Sequence, residues 1–165
     1  MCMKYVNANV TCFKSVVMDG DKIVSFNAPF EIIKSTNAND TLFIEDFSLV
    51  TQIDFLGTSD VNHMKDSSLE QKKTIDFIVR LTKCTRDEKD RIGFDLDSFS
   101  INLSDMYENN KVNTACFDFL NYTQITNVKR LNLPGGNGKY VIKVLIKDCD
   151  ESEYSIQSMT QLTIM

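Results

Sequence analysis

Hydrophobic residues recur at every second position along much of this chain. In TLFIEDFSLVTQIDFLG, residues 41–57, most apolar positions share one parity and most polar positions share the other, with Val50 as the exception. The first set is Phe43, Phe47, Leu49, Thr51, Ile53 and Phe55, and the second is Asp46, Ser48, Gln52 and Asp54. Because successive side chains of a β-strand point to opposite faces, this pattern predicts a strand with one buried and one solvated face.

Two further segments repeat the alternation. In TIDFIVRLTKC, residues 74–84, we expect Ile75, Phe77, Val79 and Leu81 to face inward and Asp76, Arg80 and Thr82 to face outward. In IGFDLDSFSINL, residues 92–103, the apolar parity runs through Ile92, Phe94 and Leu96 and then moves by one residue to Phe99, Ile101 and Leu103. A change of phase inside a strand predicts a β-bulge near Asp97 and Ser98, or two strands divided there.

Reversal signals separate these runs. Asp19-Gly20 lies between two β-branched stretches and predicts a hairpin. Pro29 stands at the entry to a further strand, where its missing N–H does least harm. Residues 57–73 form a long polar loop, and short helical turns are expected at 67–73 and 104–111.

No segment sustains a period of 3.6 residues over three turns, so helix is limited to one or two such short turns. About eight strands separated by reversals predict an all-β fold. We expect a two-sheet antiparallel β-sandwich of immunoglobulin-like or related topology, in one domain over residues 1–165. A closed β-barrel is the structural alternative.

The one glycine-rich segment is LNLPGGNGKYVIKVLIKD, residues 131–148. A phosphate-binding loop would need Ser or Thr after Lys139 and a helix after that, but Tyr140 follows and the alternation of Tyr140, Ile142, Val144 and Ile146 predicts a strand. We therefore interpret Gly135, Gly136 and Gly138, which follow Pro134, as a tight turn with positive φ.

Strands are expected on both sides of that turn. The strand before it spans residues 112–133, with candidate core residues Phe117, Phe119, Tyr122, Ile125 and Val128. A later strand spans residues 153–164, in which Tyr154, Ile156, Leu162 and Ile164 share the parity expected inside.

The turn also carries a resemblance. The motif L-P-G-G-x-G-x-Y before the penultimate strand, with Asp19-Gly20, Pro29-Phe30 and the Phe-rich run 43–55 earlier in the chain, resembles small immunoglobulin-like β-sandwich proteins of unknown function from low-GC Gram-positive bacteria and their phages. The resemblance implies a fold and a bacterial or phage source. It implies no catalytic or binding residues.

Composition narrows the range of partners. The 165 residues carry a net charge of −5, which disfavours binding to nucleic acid. No apolar run is long enough to span a membrane and no secretory signal is recognisable, so we expect a cytoplasmic protein. The five cysteines are widely spaced without a C-x-x-C motif, which favours free thiols over a zinc site. They are Cys2, Cys12, Cys84, Cys116 and Cys149.

Candidate chemistry is sparse. The single histidine, His63, lies in a polar loop, and no G-x-S-x-G elbow exists, so no nucleophile–base pair is indicated. Paired carboxylates could converge on calcium in turns, although aspartate also favours turns through backbone hydrogen bonds. These carboxylates are Asp19, Asp21, Asp95, Asp97, Asp148, Asp150 and Glu151, of which Asp95 and Asp97 are expected on the wet face of a strand. We assign no catalytic, cofactor-binding or metal residue.

These observations predict a non-catalytic protein-binding or structural protein, with a protein partner or self-association and with neither nucleic acid nor membrane. A calcium- or small-ligand-binding sandwich is the first alternative, and a hydrolase with an unrecognised site is the second. The long loop at 57–73 is the candidate contact surface, because loops on rigid scaffolds often carry function.

Overall fold

A computed structural model describes residues 3–20, 22–26, 28–58, 74–86, 92–102, 112–113, 117–148 and 151–165, and this part of the chain is all-β without helix. Seven strands are long: β1 (Met3–Phe13), β7 (Phe47–Thr58), β8 (Thr74–Lys83), β9 (Gly93–Asn102), β11 (Phe117–Val128), β13 (Gly138–Lys147) and β14 (Ser155–Ile164). The others are β2 (Val16–Asp19), β3 (Lys22–Phe26), β4 (Ile32–Ile33), β5 (Thr36–Ala38), β6 (Thr41–Ile44), β10 (Val112–Asn113) and β12 (Leu131–Asn132). The all-β prediction is confirmed.

The strands form four sheets. The two larger ones have the orders β1-β7-β11-β10 and β4-β14-β13-β8-β9, and the smaller ones are β12-β6-β5 and the hairpin β2-β3. Neighbours are antiparallel except β4, which runs parallel to β14. The described strands therefore outnumber the eight expected, because strands of two to five residues are too short to show a clear period.

The expected strand at 41–57 is divided, and so is the one at 112–133. Phe47 pairs with Val128 at the end of one sheet, and Ile44 pairs with Leu131 in the next, so the register is the same on both sides of the break. In the break, the Asp46 carboxylate accepts the backbone N–H of Arg130 at 2.8 Å. The alternation of apolar and polar residues continues across the break, because the same two segments are paired in the same register on both sides of it. The sequence alone therefore gives no sign of the break.

The inward parity predicted within residues 43–55, 75–81 and 140–146 is confirmed. Its buried members are Phe43, Phe47, Leu49, Thr51, Ile53, Phe55, Ile75, Phe77, Val79, Leu81, Tyr140, Ile142, Val144 and Ile146. Side chains of both larger sheets join one hydrophobic core. Of the residues expected outside, Ser48 and Thr82 are nevertheless buried, and Ser48 donates a hydrogen bond to Asn127 Oδ1 at 3.0 Å.

A run of aromatic rings joins the two larger sheets. Phe55 of β7 meets Phe77 of β8 edge to face, with ring centroids 6.3 Å apart. Phe77 stacks on Phe99 of β9 at 5.2 Å, and Phe99 stacks on Tyr122 of β11 at 6.0 Å. The run begins and ends in the four-stranded sheet and passes through the five-stranded one, so these rings hold the two inner faces together.

The phase change in β9 is a β-bulge within one strand. Val79 pairs with Asp97 and Arg80 pairs with Asp95, which leaves Leu96 as the extra residue, next to the position predicted. The bulge places Asp97 on the parity of Phe99 and Ile101, so the expectation of a wet face is wrong for Asp97.

Asp97 of β9 connects the two larger sheets through hydrogen bonds to β11. Its Oδ2 accepts hydrogen bonds from the hydroxyl of Thr126 and from Nε2 of Gln124, the latter at 3.2 Å. The Tyr122 hydroxyl donates to Gln124 Oε1 at 2.7 Å, which extends the network along β11. Burial, followed by the negative charge of Asp97, raises the pKa of Tyr122. Each side-chain polar group here has a partner, so the network closes the core without forming a ligand site.

The predictions for three core residues are corrected. Tyr154 and Ile156 are exposed, whereas Leu162 and Ile164 are buried as expected. The reason is a second bulge: Val144 pairs with Ser158 but Leu145 pairs with Ile156, so Gln157 is the extra residue and Ile156 turns outward. On β11, Val128 is buried, but Ile125 has the opposite parity and is only half-buried.

Two buried threonines provide a matched test of the interior. The described residues offer no hydrogen-bond partner to Thr51 Oγ1, whereas Thr126 Oγ1 donates to Asp97. We expect Thr51→Val to raise the free energy of unfolding by about 1 kcal/mol, because it removes an unsatisfied hydroxyl without changing shape. Thr126→Val should lower it by about 1–2 kcal/mol, because a carboxylate loses a donor. Urea unfolding measures both, and equal losses in the two variants would contradict this description of the core.

Candidate functional site

The glycine segment is a turn filled by the protein's own side chains. Gly136 has φ of 74° and Gly138 has φ of 145°, both in the left-handed region that favours glycine. Lys83 Nζ donates to the Gly135 carbonyl, and the Tyr140 hydroxyl donates to the Gly136 carbonyl at 2.6 Å. The interpretation as a tight turn into a strand is confirmed, although positive φ is found only at Gly136 and Gly138 and not at Gly135, and Lys83 and Tyr140 hold the turn through their hydrogen bonds.

The acidic candidates do not converge where they are described. Asp19 ends β2 and is exposed, and Asp95 forms an exposed ion pair with Arg80 at 2.6 Å. The Glu151 N–H donates to the Asp148 carbonyl at 3.0 Å. Within the described ranges, no group of three or more His, Cys, Asp or Glu side chains could hold a metal ion.

Several candidates lie outside the described residues. They are His63, Asp21, Asp150, Cys2, Cys116, Cys149 and the two expected helical turns. The expected loop at 57–73 is shortened, since Gly57 and Thr58 still belong to β7, and its remaining residues, 59–73, lie outside the description.

The two described cysteines differ in environment. Cys12 is buried on the inner side of β1, and burial raises the pKa of its thiol to about 12. Cys84 follows β8 and is exposed. Because the thiolate is the nucleophile, the Cys12 thiol is suited to packing and not to covalent chemistry.

An apolar strip crosses the outer face of the five-stranded sheet at β14. Tyr154, Ile156 and Met159 are 39%, 53% and 63% exposed. The bulge at Gln157 produces this strip, because it places Ile156 on the same outer face as Met159. We call these three residues the β14 strip; sequence reasoning missed it because it assigned Tyr154 and Ile156 to the core.

Polar contacts border the strip on the neighbouring strands. Lys147 Nζ lies 5.1 Å above the Tyr154 ring and 3.7 Å from Asp76 Oδ2. Toward β9, a shallow cavity of about 570 Å³ opens on the same face. Its lining is Arg80, Thr82, Gly93, Asp95, Lys143, Leu145 and Ile156. Leu145 lies beside Ile156 in the pairing of β13 with β14, so the apolar surface continues into this cavity.

The same strand forms part of a sheet edge. β13 pairs with β14 along its length, but on the other side β4 pairs only with Thr163 and Ile164. From there the chain before β4 turns away, and the Phe30 N–H donates to the Cys12 carbonyl of β1 at 3.0 Å. No described strand is hydrogen-bonded to residues 155–161 on that side, although β1 passes close to β14.

A groove follows this open edge. It has a volume of about 670 Å³ and lies between β1, residues 29–32 and β14. Thr160 and Gln161 form the β14 wall. On the inner side of the same strand, Ser158 Oγ is buried, and the described residues offer it no hydrogen-bond partner. The edge thus combines backbone to which no described strand is paired, a groove beside it and a buried hydroxyl to which the described residues offer no partner.

Strand β14 also lacks the usual protection of a sheet edge. Its sequence, SIQSMTQLTI, contains no Asp, Glu, Lys, Arg or Pro. The opposite edge of the same sheet, β9, carries Asp95 and Asp97. Natural edge strands commonly carry charge or proline, which blocks unwanted pairing, so an uncharged edge beside exposed apolar residues is a surface suited to strand addition.

Comparison with known proteins adds no relative: no family model matches the chain, and no curated protein sequence matches it significantly. The resemblance to small phage and bacterial sandwich proteins stays a prediction from the motifs. Over the described ranges, the structure has no helix of the length and apolarity needed to cross a bilayer.

The thiols provide a test of the interior beside the groove. At pH 8, we expect a thiol reagent to modify Cys84 quickly and Cys12 only after unfolding, because the Cys12 thiol is buried and its pKa is raised to about 12. Peptide mass mapping after timed labelling would follow the two sites separately. Labelling of Cys12 as fast as Cys84 in the folded chain would contradict the buried environment described for β1.

Proposed function

We propose that this chain is a non-catalytic protein-binding domain, built as a two-sheet antiparallel β-sandwich, that engages protein through β14. The observation that carries the proposal is the coincidence at β14 of the exposed β14 strip and an uncharged edge to which no described strand is paired over residues 155–161. The shared core of the two larger sheets supports the sandwich architecture.

Two kinds of free energy are available at this strand. Covering Tyr154, Ile156 and Met159 removes apolar surface from water, at about 25 cal/mol per Å². Pairing a strand to the edge satisfies backbone groups and fixes the direction of the added chain. A surface that offers both is typical of protein recognition by strand addition, whereas a catalytic site needs convergent reactive groups.

The charged groups near the strip support a contact surface. Arg80 pairs with Asp95, and Asp76 accepts a hydrogen bond from Ser100 Oγ at 2.6 Å and lies close to Lys147. These carboxylates have partners within the sheet, so they border an apolar patch in the way that polar rims border interfaces.

Site-specific photo-crosslinking tests the function. A photoreactive amino acid at position 156, in cells that naturally make the chain, should give discrete crosslinked protein products. The matched control is position 52, since Gln52 is exposed on the outer face of the four-stranded sheet, away from β14. Equal yields at the two positions, or no protein product at position 156, would overturn the proposal.

A further inference from the structure

We infer that the protein segment bound at β14 carries a carboxylate two residues from a large apolar side chain, and that Lys143 and Arg80 receive the carboxylate. This inference rests on the proposed function and specifies the chemistry of the partner. The side chains that support it lie on the outer face of the five-stranded sheet, in and beside the cavity that Arg80, Lys143 and Ile156 help to line.

Two cations stand side by side in the middle of this face. Lys143 of β13 is the register partner of Arg80 of β8, so two positively charged side chains lie directly opposite one another. Cβ atoms in such positions are about 5 Å apart, and like charges there are unfavourable. The same row continues to Asp95 of β9 on one side and to Met159 of β14 on the other. One carboxylate therefore serves two cations in this row.

Lys143 has no acidic partner among the described residues. Asp95 bonds to Arg80 Nε at 2.6 Å and lies two strands from Lys143, which is about 10 Å. Asp76 is paired with Lys147 at 3.7 Å. The described part of the chain thus leaves the Lys143 ammonium without an ion pair. The guanidinium of Arg80 has five N–H donors, so it can bond to a second carboxylate beside Asp95.

The outer face is basic although the chain is acidic. The net charge of the chain is −5. The register of the described strands β8, β9, β13 and β14 places more cations than carboxylates on this face. The cations are Arg80, Lys139, Lys143 and Lys147, and the carboxylates are Asp76 and Asp95. An acidic segment is therefore attracted to this face, whereas the chain as a whole repels it.

An apolar row lies next to the two cations, two residues along β8 and β13. Ile78, Leu145 and Ile156 are register partners across the sheet. Leu145 is buried, whereas Ile156 and Met159 are largely exposed. The cavity of about 570 Å³ is lined by Lys143, Leu145 and Ile156 together. A bound segment can thus place a carboxylate and an apolar group in one depression.

The distance between the two rows sets the spacing in the partner. Lys143 and Leu145 are two residues apart on β13, which is about 7 Å along a strand. In an extended segment, side chains two residues apart point to the same side at the same spacing. An extended partner therefore fits this face when it has Asp or Glu at one position and a large apolar residue two positions away, in either order.

Selection from a random peptide library supplies the probe. Displayed octapeptides selected on the purified chain should be enriched in sequences with Asp or Glu two positions from Ile, Leu, Val, Met or Phe, relative to the unselected library. The most enriched peptide is then synthesised and titrated against the chain and its variants. Enrichment without an acidic residue, or no enriched peptide at all, would overturn the inference.

Reversing the charge of Lys143 should change stability and binding in opposite directions. Lys143→Glu places a carboxylate opposite Arg80, so the midpoint of thermal unfolding should rise by about 1–4 °C. The affinity for the selected peptide should fall about tenfold or more, because its carboxylate then meets another carboxylate. A lower unfolding midpoint would contradict the contact of the two cations.

Two matched controls separate local contacts from general effects. Lys139→Glu makes the same change of charge on the same face of β13, about 13 Å from Lys143 and beyond the screening length at physiological salt, so it should leave binding unchanged. Ile156→Ser should weaken binding, whereas Val17→Ser, which alters a side chain of equal exposure on β2, should not. Equal effects within either pair would overturn the inference.

Crosslinking in cells separates this inference from the proposed function. The yield of protein crosslinked from position 156 should fall when Lys143→Glu is added and stay the same when Lys139→Glu is added. If the yield is undiminished in the Lys143→Glu chain, the proposed function stands and the acidic partner is overturned. If position 156 captures no protein in the otherwise unchanged chain, both fail.

Discussion

The apolar contact between the inner faces of the four-stranded and five-stranded sheets is the interaction on which the rest of this structure depends. The alternation of hydrophobic residues gives each of the two larger sheets one apolar face, whose exposure to water is unfavourable. The apolar face of each sheet packs against that of the other. The rings of Phe55, Phe77, Phe99 and Tyr122 cross from one sheet to the other and back. With the inner faces committed to this contact, the outer faces, edges and loops of the described part of the chain remain for function.

Two β-bulges decide what those faces carry. The bulge at Leu96 turns Asp97 inward, where it accepts hydrogen bonds from β11 and closes the side of the core. The bulge at Gln157 turns Ile156 outward, where it joins Met159 on the surface. The extra residue in β9 thus turns the charged side chain of Asp97 inward, and the extra residue in β14 turns the apolar side chain of Ile156 outward.

Local alternation made part of this predictable. The all-β class, the buried parity of β7, β8 and β13, the hairpin at Asp19-Gly20 and the bulge in β9 all leave a signal within a few residues. The bulge in β14 leaves no such signal, because the segment between Ile156 and Leu162 contains no alternation of apolar and polar residues that could change phase. The assignment of Ile156 to the core was wrong for that reason. The position of β14 beside the edge of its sheet depends on strand order. Strand order arises from pairings between distant segments and is not encoded in any local pattern.

A double-mutant cycle on Phe55 and Phe77 tests most directly whether the two sheets share one core. The residues belong to different sheets, and their rings meet edge to face. Replacing each by leucine, singly and together, and measuring the free energy of unfolding should give a coupling of about 0.5–1.5 kcal/mol. Losses that add to within about 0.3 kcal/mol would show that the rings do not meet, and would contradict the packing from which the outer surface of β14 follows.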